Sequence, residues 1–183
     1  MDIRETEIPA VRLITPSRHR DDRGFLSEVY SRRAFAEAGV DTEFVQDNHT
    51  RSVAAGTVRG LHYQIAPMAQ AKLVRVVRGA IYDVAVDLRR GSPTFGRHVA
   101  AVISAEAWNQ ILVPIGFAHG FCTLSPDAEV LYRLSNIYSP EHERSLLWND
   151  TALGIEWPVR AEAVVVSDRD RRNPRLAELT DLF

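Results

Sequence analysis

Cysteine and lysine are nearly missing from this 183-residue chain, which holds one of each, Cys122 and Lys72. A single cysteine cannot close an intramolecular disulfide. Charge of one sign is also lacking: 22 Lys+Arg stand against 24 Asp+Glu, a net charge of −2, which argues against general nucleic-acid or membrane-surface binding. No apolar run is long. The most apolar stretch, residues 111–118, contains Pro114 and Gly116 and falls far short of the ~20 residues that cross a bilayer. The first seven residues are acidic and polar rather than basic then apolar, so the chain reads as cytoplasmic, with no membrane span. Internal repeats, low-complexity tracts and linkers are absent, and the length predicts a single domain over residues 1–183.

Short strand patterns fill the middle of the chain. Residues 81–88 (IYDVAVDL) put Tyr82, Val84, Val86 and Leu88 on one face and Asp83 and Asp87 on the other, the period of a half-buried antiparallel strand. Similar runs occur at 58–65, 72–78, 99–104, 110–113 and 130–138, with turn signals at DDRG (21–24), Gly56, RGA (78–80), RRGSP (89–93) and PIG (114–116). Helices long enough for parallel crossovers are missing, so the pattern predicts a closed or double-sheet β architecture. Two short helices are expected, one over 31–38 capped by Ser31 and stopped by Gly39, another over 174–182. The basic stretch RDRRNPR (169–175) reads as a solvated surface turn.

Of the 22 cationic side chains 21 are arginine. A coding bias toward Arg accounts for such a ratio by itself, and the lone Lys72 is either chance or a position where an ammonium is required.

Two segments concentrate chemistry: RGLHYQ (59–64) and PIGFAHGF (114–121). The second contains PxGxxH and resembles the second motif of the cupin superfamily, whose fold is a β jelly roll. In metal-binding cupins the first motif supplies His-x-His and then Glu; here it reads His62, Tyr63, Gln64, with no Glu before Lys72. Gln is a weak ligand and an ammonium repels a divalent cation, so no metal site is expected. His62 and Gln64 share one strand face, and Lys72, Val74 and Val76 share another. Arg59 has the opposite parity from His62 and joins their pocket only if the strand bulges at Gly60.

The resemblance narrows on DDRGF (21–25), FVQDN (44–48), TVRGLHYQ (57–64), AKLVRVVRGAIYDVAVDLRRGSPTFG (71–96), PIGFAHGF (114–121), LYRLSNIYSPEHE (131–143), WND (148–150), GIEWP (154–158) and SDRD (167–170). Together these motifs resemble the dTDP-4-dehydrorhamnose 3,5-epimerase family along nearly the whole chain. The resemblance implies an all-β, cupin-type double-stranded β-helix (jelly roll) with short peripheral helices. It implies a cofactor-free isomerase that converts dTDP-4-dehydro-6-deoxy-D-glucose to dTDP-4-dehydro-L-rhamnose. Both inverted centres flank the carbon-4 ketone, so one carbonyl acidifies two hydrogens; a base takes each proton from one face and an acid returns one from the other.

By motif match, His62 is similar to the family's general base, a role suited to imidazole at neutral pH. Asp170 matches the carboxylate that orients it, with Asp168 as nearby rival, and Tyr132 resembles the general acid. Lys72 and His119, on neighbouring strands of the expected jelly roll, are the candidates for stabilising charge on the carbon-4 oxygen. Arg23 and Arg59 match substrate-binding arginines suited to a diphosphate. Glu28, Gln46, Asp47, Asn48 and Glu143 match further substrate positions, and Tyr138 resembles the residue stacked on thymine. Arg169 stands where many members carry Lys. The family's Arg23 and Glu28 positions reach into a partner's pocket, so a homodimer with exchange of the N-terminal segment is implied. Readings from other directions are a single-carbon epimerase, a non-catalytic sugar-nucleotide-binding cupin, and a metal-dependent cupin; retention of His62, Asp170 and Tyr132 speaks against the second, and Gln64 and Lys72 against the third.

Overall fold

A computed structural model describes all 183 residues. In chain order the strands are β1 (Asp2–Glu5), β2 (Arg12–Thr15), β3 (His19–Asp21), β4 (Gly24–Leu26), β5 (Gln46–Ser52), β6 (Thr57–Gln64), β7 (Lys72–Arg78), β8 (Ala80–Asp87), β9 (His98–Ser104), β10 (Gln110–Val113), β11 (Phe117–Thr123), β12 (Ala128–Leu134), β13 (Glu143–Ser145) and β14 (Val165–Val166). One sheet has the order β1-β2-β10-β7-β12-β5; the other runs β13-β6-β11-β8-β9, with β14 added in parallel to β6. Strands β3 and β4 form a separate hairpin over the DDRG turn.

The main core lies between the two sheets. Val74, Val76, Ile111, Val113 and Val130 from the first pack against Ile81, Ala85, Val99, Ile103, Phe117 and Phe121 from the second. This is the all-β jelly roll that the motifs imply. Each sheet's outer face is covered as well. The single α-helix, α1 (Arg32–Glu37), begins at Ser31, whose Oγ accepts from the Ala34 amide, and its Phe35 packs on Ile14, Leu73 and Leu112.

The C-terminal segment covers the second sheet, and it does so without the helix expected over 174–182. Only two short 3-10 turns form, Asp170–Arg172 and Leu176–Glu178. Leu176, Leu179, Leu182 and Phe183 instead spread along Leu61, Tyr63, Val84, Val86 and Leu88. Beyond the short turn, backbone bonds tie the end of the tail to the segment that follows β8: Phe183 N–H donates to the Leu88 carbonyl and Arg90 N–H to the Phe183 carbonyl.

That cover overturns the half-buried reading of β8. Tyr82, Val84, Val86 and Leu88 face the tail, and Asp83 and Asp87 lie on the inner side, where both carboxylates are fully buried. The pair is tolerated because each is satisfied. Asp83 meets His119, and Asp87 accepts from Arg89, Ser92 and Thr94. Those donors outweigh burial and hold the Asp87 carboxyl well below the usual carboxylate range. Strand β12 also ends at Leu134, short of the expected 138, and β5 and β11 are strands beyond those read from the sequence.

Candidate active site

Gly60 lets two residues of opposite parity share one wall. Strands β6 and β11 pair His62 with His119 but Arg59 with Phe121, so the register slips by one across Gly60. With that bulge Arg59 and His62 both face inward, while Val58, Leu61 and Tyr63 pack outward. A Cβ at Gly60 would stand 2.6 Å from Gly120 Cα, and one at Gly120 would stand 2.7 Å from the Arg59 carbonyl. Gly60 also has φ +129°, which side-chain-bearing residues rarely adopt.

The bulged wall bounds a cavity of about 480 Å³ lined by Thr50, Arg59, His62, Lys72, His119, Phe121, Tyr132, Arg169 and Asp170, among others. A second chamber of about 300 Å³ adjoins it, shares His62, Lys72 and Tyr132, and continues to Asn48, Tyr138 and Glu143. The four side chains assigned to chemistry from the sequence therefore meet at one place.

His62 Nε2 lies 2.7 Å from Asp170 Oδ1. Asp170 reaches it because β14 runs along β6 and delivers the following 3-10 turn to its edge. Asp168 is exposed and Asp170 is buried, which decides between the two. Burial raises the Asp170 pKa, but the His62 bond and charge, the Gly60 amide and the Ser167 hydroxyl together bring it below the ordinary value.

Across the cavity, Lys72 projects from β7 and Tyr132 from β12, both in the first sheet. Lys72 and His119 thus face each other from opposite sheets, correcting the expectation that they occupy neighbouring strands. Burial lowers the Lys72 ammonium to about 8, against the pull of Asp83 and Glu143. Its Nζ donates to the His62 carbonyl at 3.1 Å. His119 Nε2 is held 2.9 Å from both oxygens of Asp83. Sequence reading missed Asp83 because strict alternation with valines presented it as the solvent face.

The polar rim forms a chain of contacts. Arg169 donates to Glu143 at 2.6 Å, and Tyr138 donates to the same carboxylate oxygen at 2.9 Å. Burial raises Glu143, but these two partners and the nearby His62 hold its carboxyl below the usual value. Gln46 Oε1 accepts from the Tyr138 amide, and Gln46 Nε2 donates to Asn48. Arg59 is anchored on Ser52 Oγ and the Arg51 carbonyl. Buried Gln64 spends both ends of its amide on Met68, Ile137 and Ser139, so it supports the Tyr138 loop rather than offering a ligand. No three His, Cys, Asp or Glu side chains are grouped to hold a metal ion.

Three expected substrate residues are not brought to the cavity by this chain, and a fourth, Gln46, lines neither chamber but stands behind the rim on the Tyr138 amide and Asn48. Asp47 alternates with Gln46 and Asn48 along β5, so it faces outward, 3.5 Å from Arg133. Arg23 sits exposed at the tip of the β3–β4 hairpin beside Asp21, and Glu28 is exposed just after it. Thr50 and Phe121 are cavity residues that sequence reading did not single out; for Thr50 the available signal was its shared parity with Gln46 and Asn48.

Comparison with known proteins agrees with this architecture. A family profile described as dTDP-4-dehydrorhamnose 3,5-epimerase matches residues 5–178. The Pseudomonas aeruginosa PAO1 dTDP-4-dehydrorhamnose 3,5-epimerase is 53% identical over 172 residues, 93% of each chain. The Bacillus anthracis Ames enzyme of that name, solved with TDP and pyrophosphate, is 47% identical with a TM-score of 0.92, covering 95% of this chain and 98% of that one. A Legionella pneumophila dTDP-6-deoxy-D-glucose-3,5-epimerase, solved with dTDP-4-keto-L-rhamnose, is 41% identical with a TM-score of 0.93, covering 98% and 94%. On matches of this extent, the chain belongs to the dTDP-4-dehydrorhamnose 3,5-epimerase family.

Proposed function

We propose that this isomerase inverts carbons 3 and 5 of dTDP-4-dehydro-6-deoxy-D-glucose, giving dTDP-4-dehydro-L-rhamnose, with His62 as base and Tyr132 as acid. The observation that carries the reading is the 2.7 Å bond between His62 and Asp170 at the wall of a cavity that also holds Lys72 and Tyr132. His62 takes the proton next to the ketone and becomes imidazolium, and Asp170 holds the ring in place and compensates the new charge. The electron pair moves onto the carbon-4 oxygen. Lys72 and His119, projecting from opposite sheets, supply hydrogen-bond donors for it. Tyr132 then returns a proton from its own wall, inverting the centre and leaving a tyrosinate; once His62 has released its proton to solvent and Tyr132 has regained one from it, the same groups act at the second carbon.

The nucleotide end fits the rim. Arg59 and Arg169 suit the diphosphate, Tyr138 offers an aromatic face to thymine, and Asn48 and Glu143 provide polar contacts. Arg169 and Glu143 satisfy each other until an anion takes the guanidinium. Arg23 and Glu28 complete the site from a partner copy in a homodimer. Support for that arrangement is the hairpin itself, whose Phe25 and Leu26 are 47% and 75% exposed beside a cation that has no cavity in its own chain. With one buried cysteine and no helix long and apolar enough to cross a membrane, we assign the protein to the cytoplasm.

Turnover in deuterium oxide tests the reaction. Label at carbons 3 and 5 of an L-rhamno product, located by NMR, is the expected result; label at one carbon identifies a single-carbon epimerase, and no exchange removes the assignment. Sedimentation of wild-type protein and of a Phe25→Ser, Leu26→Ser variant tests the dimer: a wild-type monomer would refute it.

A further inference from the structure

We propose that Thr50 is a sugar-binding residue whose hydroxyl holds the hydroxyl at carbon 2 of the substrate ring. Thr50 Oγ1 is the one buried side-chain nitrogen or oxygen in the chain that has no hydrogen-bond partner in the protein. Native interiors rarely leave such an atom unpaired, and one that lines a ligand cavity is most simply explained by a ligand. Thr50 lines the 480 Å³ cavity with His62, Lys72 and Tyr132. It pairs with Val130 on β12, one inward position along from Tyr132.

Nearby polar groups are already engaged. Ser52 Oγ accepts from Arg59, and the hydroxyls of Thr57 and Thr123 both donate to the Ala54 carbonyl. Apolar side chains of the same lining are Phe121, Val165 and Val166. Thr50 therefore carries the one buried hydroxyl of this lining that has no partner in the protein, and a polar group so placed fixes the orientation of a ring rather than merely its affinity.

The choice of carbon 2 follows from the chemistry proposed above, on which this inference rests. Carbon 4 is a ketone and carbon 6 a methyl, so only carbons 2 and 3 carry ring hydroxyls. Carbon 3 inverts, and its hydroxyl moves with each turnover. Carbon 2 keeps its configuration, so a bond to it persists through both proton transfers and keeps the ring in register between His62 and Tyr132.

The test is a cycle that pairs enzyme variants with substrates. We would measure kcat/KM for wild type, Thr50→Val and Thr50→Ser on dTDP-4-dehydro-6-deoxyglucose and on its 2-deoxy counterpart, with dTDP affinity measured alongside. Wild type should prefer the 2-hydroxy substrate by roughly tenfold or more, and Thr50→Val should lose that factor on the natural substrate and show little preference. Thr50→Ser should retain both, and dTDP affinity should be the same in all three. A Thr50→Val enzyme that keeps the wild-type preference overturns the proposal, as does a Thr50→Ser enzyme as impaired as Thr50→Val. If the valine variant does not fold, Thr50→Ala makes the same comparison. Wild-type inactivity on the natural substrate would instead refute the proposed reaction, and this inference with it.

Discussion

The Lys72 ammonium donates to the backbone carbonyl of His62 at 3.1 Å, joining a side chain of one sheet to the main chain of the other at the centre of the cavity. A guanidinium is broader and planar and cannot occupy that point without displacing β6. Lys72→Arg, conservative in charge, should lower kcat by roughly 10²-fold, the scale of losing one donor to a developing oxyanion, with little change in the urea midpoint. Near-normal turnover would return the lone lysine to chance.

The same ammonium sets a pH limit. Burial brings Lys72 down to about 8, so the charge is present below that pH and turnover should fall above it. Stability moves the other way. The unfolded chain keeps this proton up to about 10.4, so the penalty for burying the charge is complete below pH 8 and is relieved between those values. Urea titrations of wild type and Lys72→Met between pH 7 and 10 should show an alkaline gain in wild type that the variant lacks.

Asp170 has the opposite sign. Its carboxyl lies below the ordinary value because of His62, the Gly60 amide and Ser167. The stability it contributes is present above about pH 4 and lost as pH falls through the lowered value. Asp170→Asn should flatten that acid limb and cut turnover by an order of 10²-fold or more by releasing the ring of His62. Equal rates in the two proteins would show that the bond is structural only.

Tyr132→Phe separates abstraction from return of the proton. Solvent exchange at carbon 3 should remain measurable by NMR, with product formation reduced by roughly 10²-fold or more. Equal loss of both would contradict a distinct acid role.

Gly60→Ala tests the bulge. A methyl 2.6 Å from Gly120 Cα has no room, and φ +129° is unfavourable for alanine. Loss of about 1 to 3 kcal/mol in chemical denaturation is expected from the backbone conformation, with activity falling because Arg59, His62 and His119 all shift. Gly91→Ala, in the RRGSP turn away from the site, also has a positive φ (+83°) but open space around the added methyl, so it shares the backbone penalty and should spare turnover.

Much of the site could be read from residue types in order. The strand of Lys72 was delimited from alternation, and the need for a bulge at Gly60 followed from the parity conflict between Arg59 and His62. Less of the periphery was legible. Leu176, Leu179, Leu182 and Phe183 have spacing compatible with a helix, yet the exposed edge and face of the second sheet capture them as an extended cover. Asp47 sits in a motif beside Asn48, which lines the cavity, and the pleat of β5 sends it outward.

The sequence by itself determined the all-β class, the family and the residue types available for the chemistry, because those depend on local alternation, turn residues and ordered motifs. Tertiary structure decided which of two nearby aspartates meets His62, that Asp83 lies inside rather than outside, and that Lys72 opposes His119 from the other sheet. These outcomes turn on long-range pairing and on what covers each sheet. Alternation separates the two faces of a strand but carries no label for which face will be enclosed.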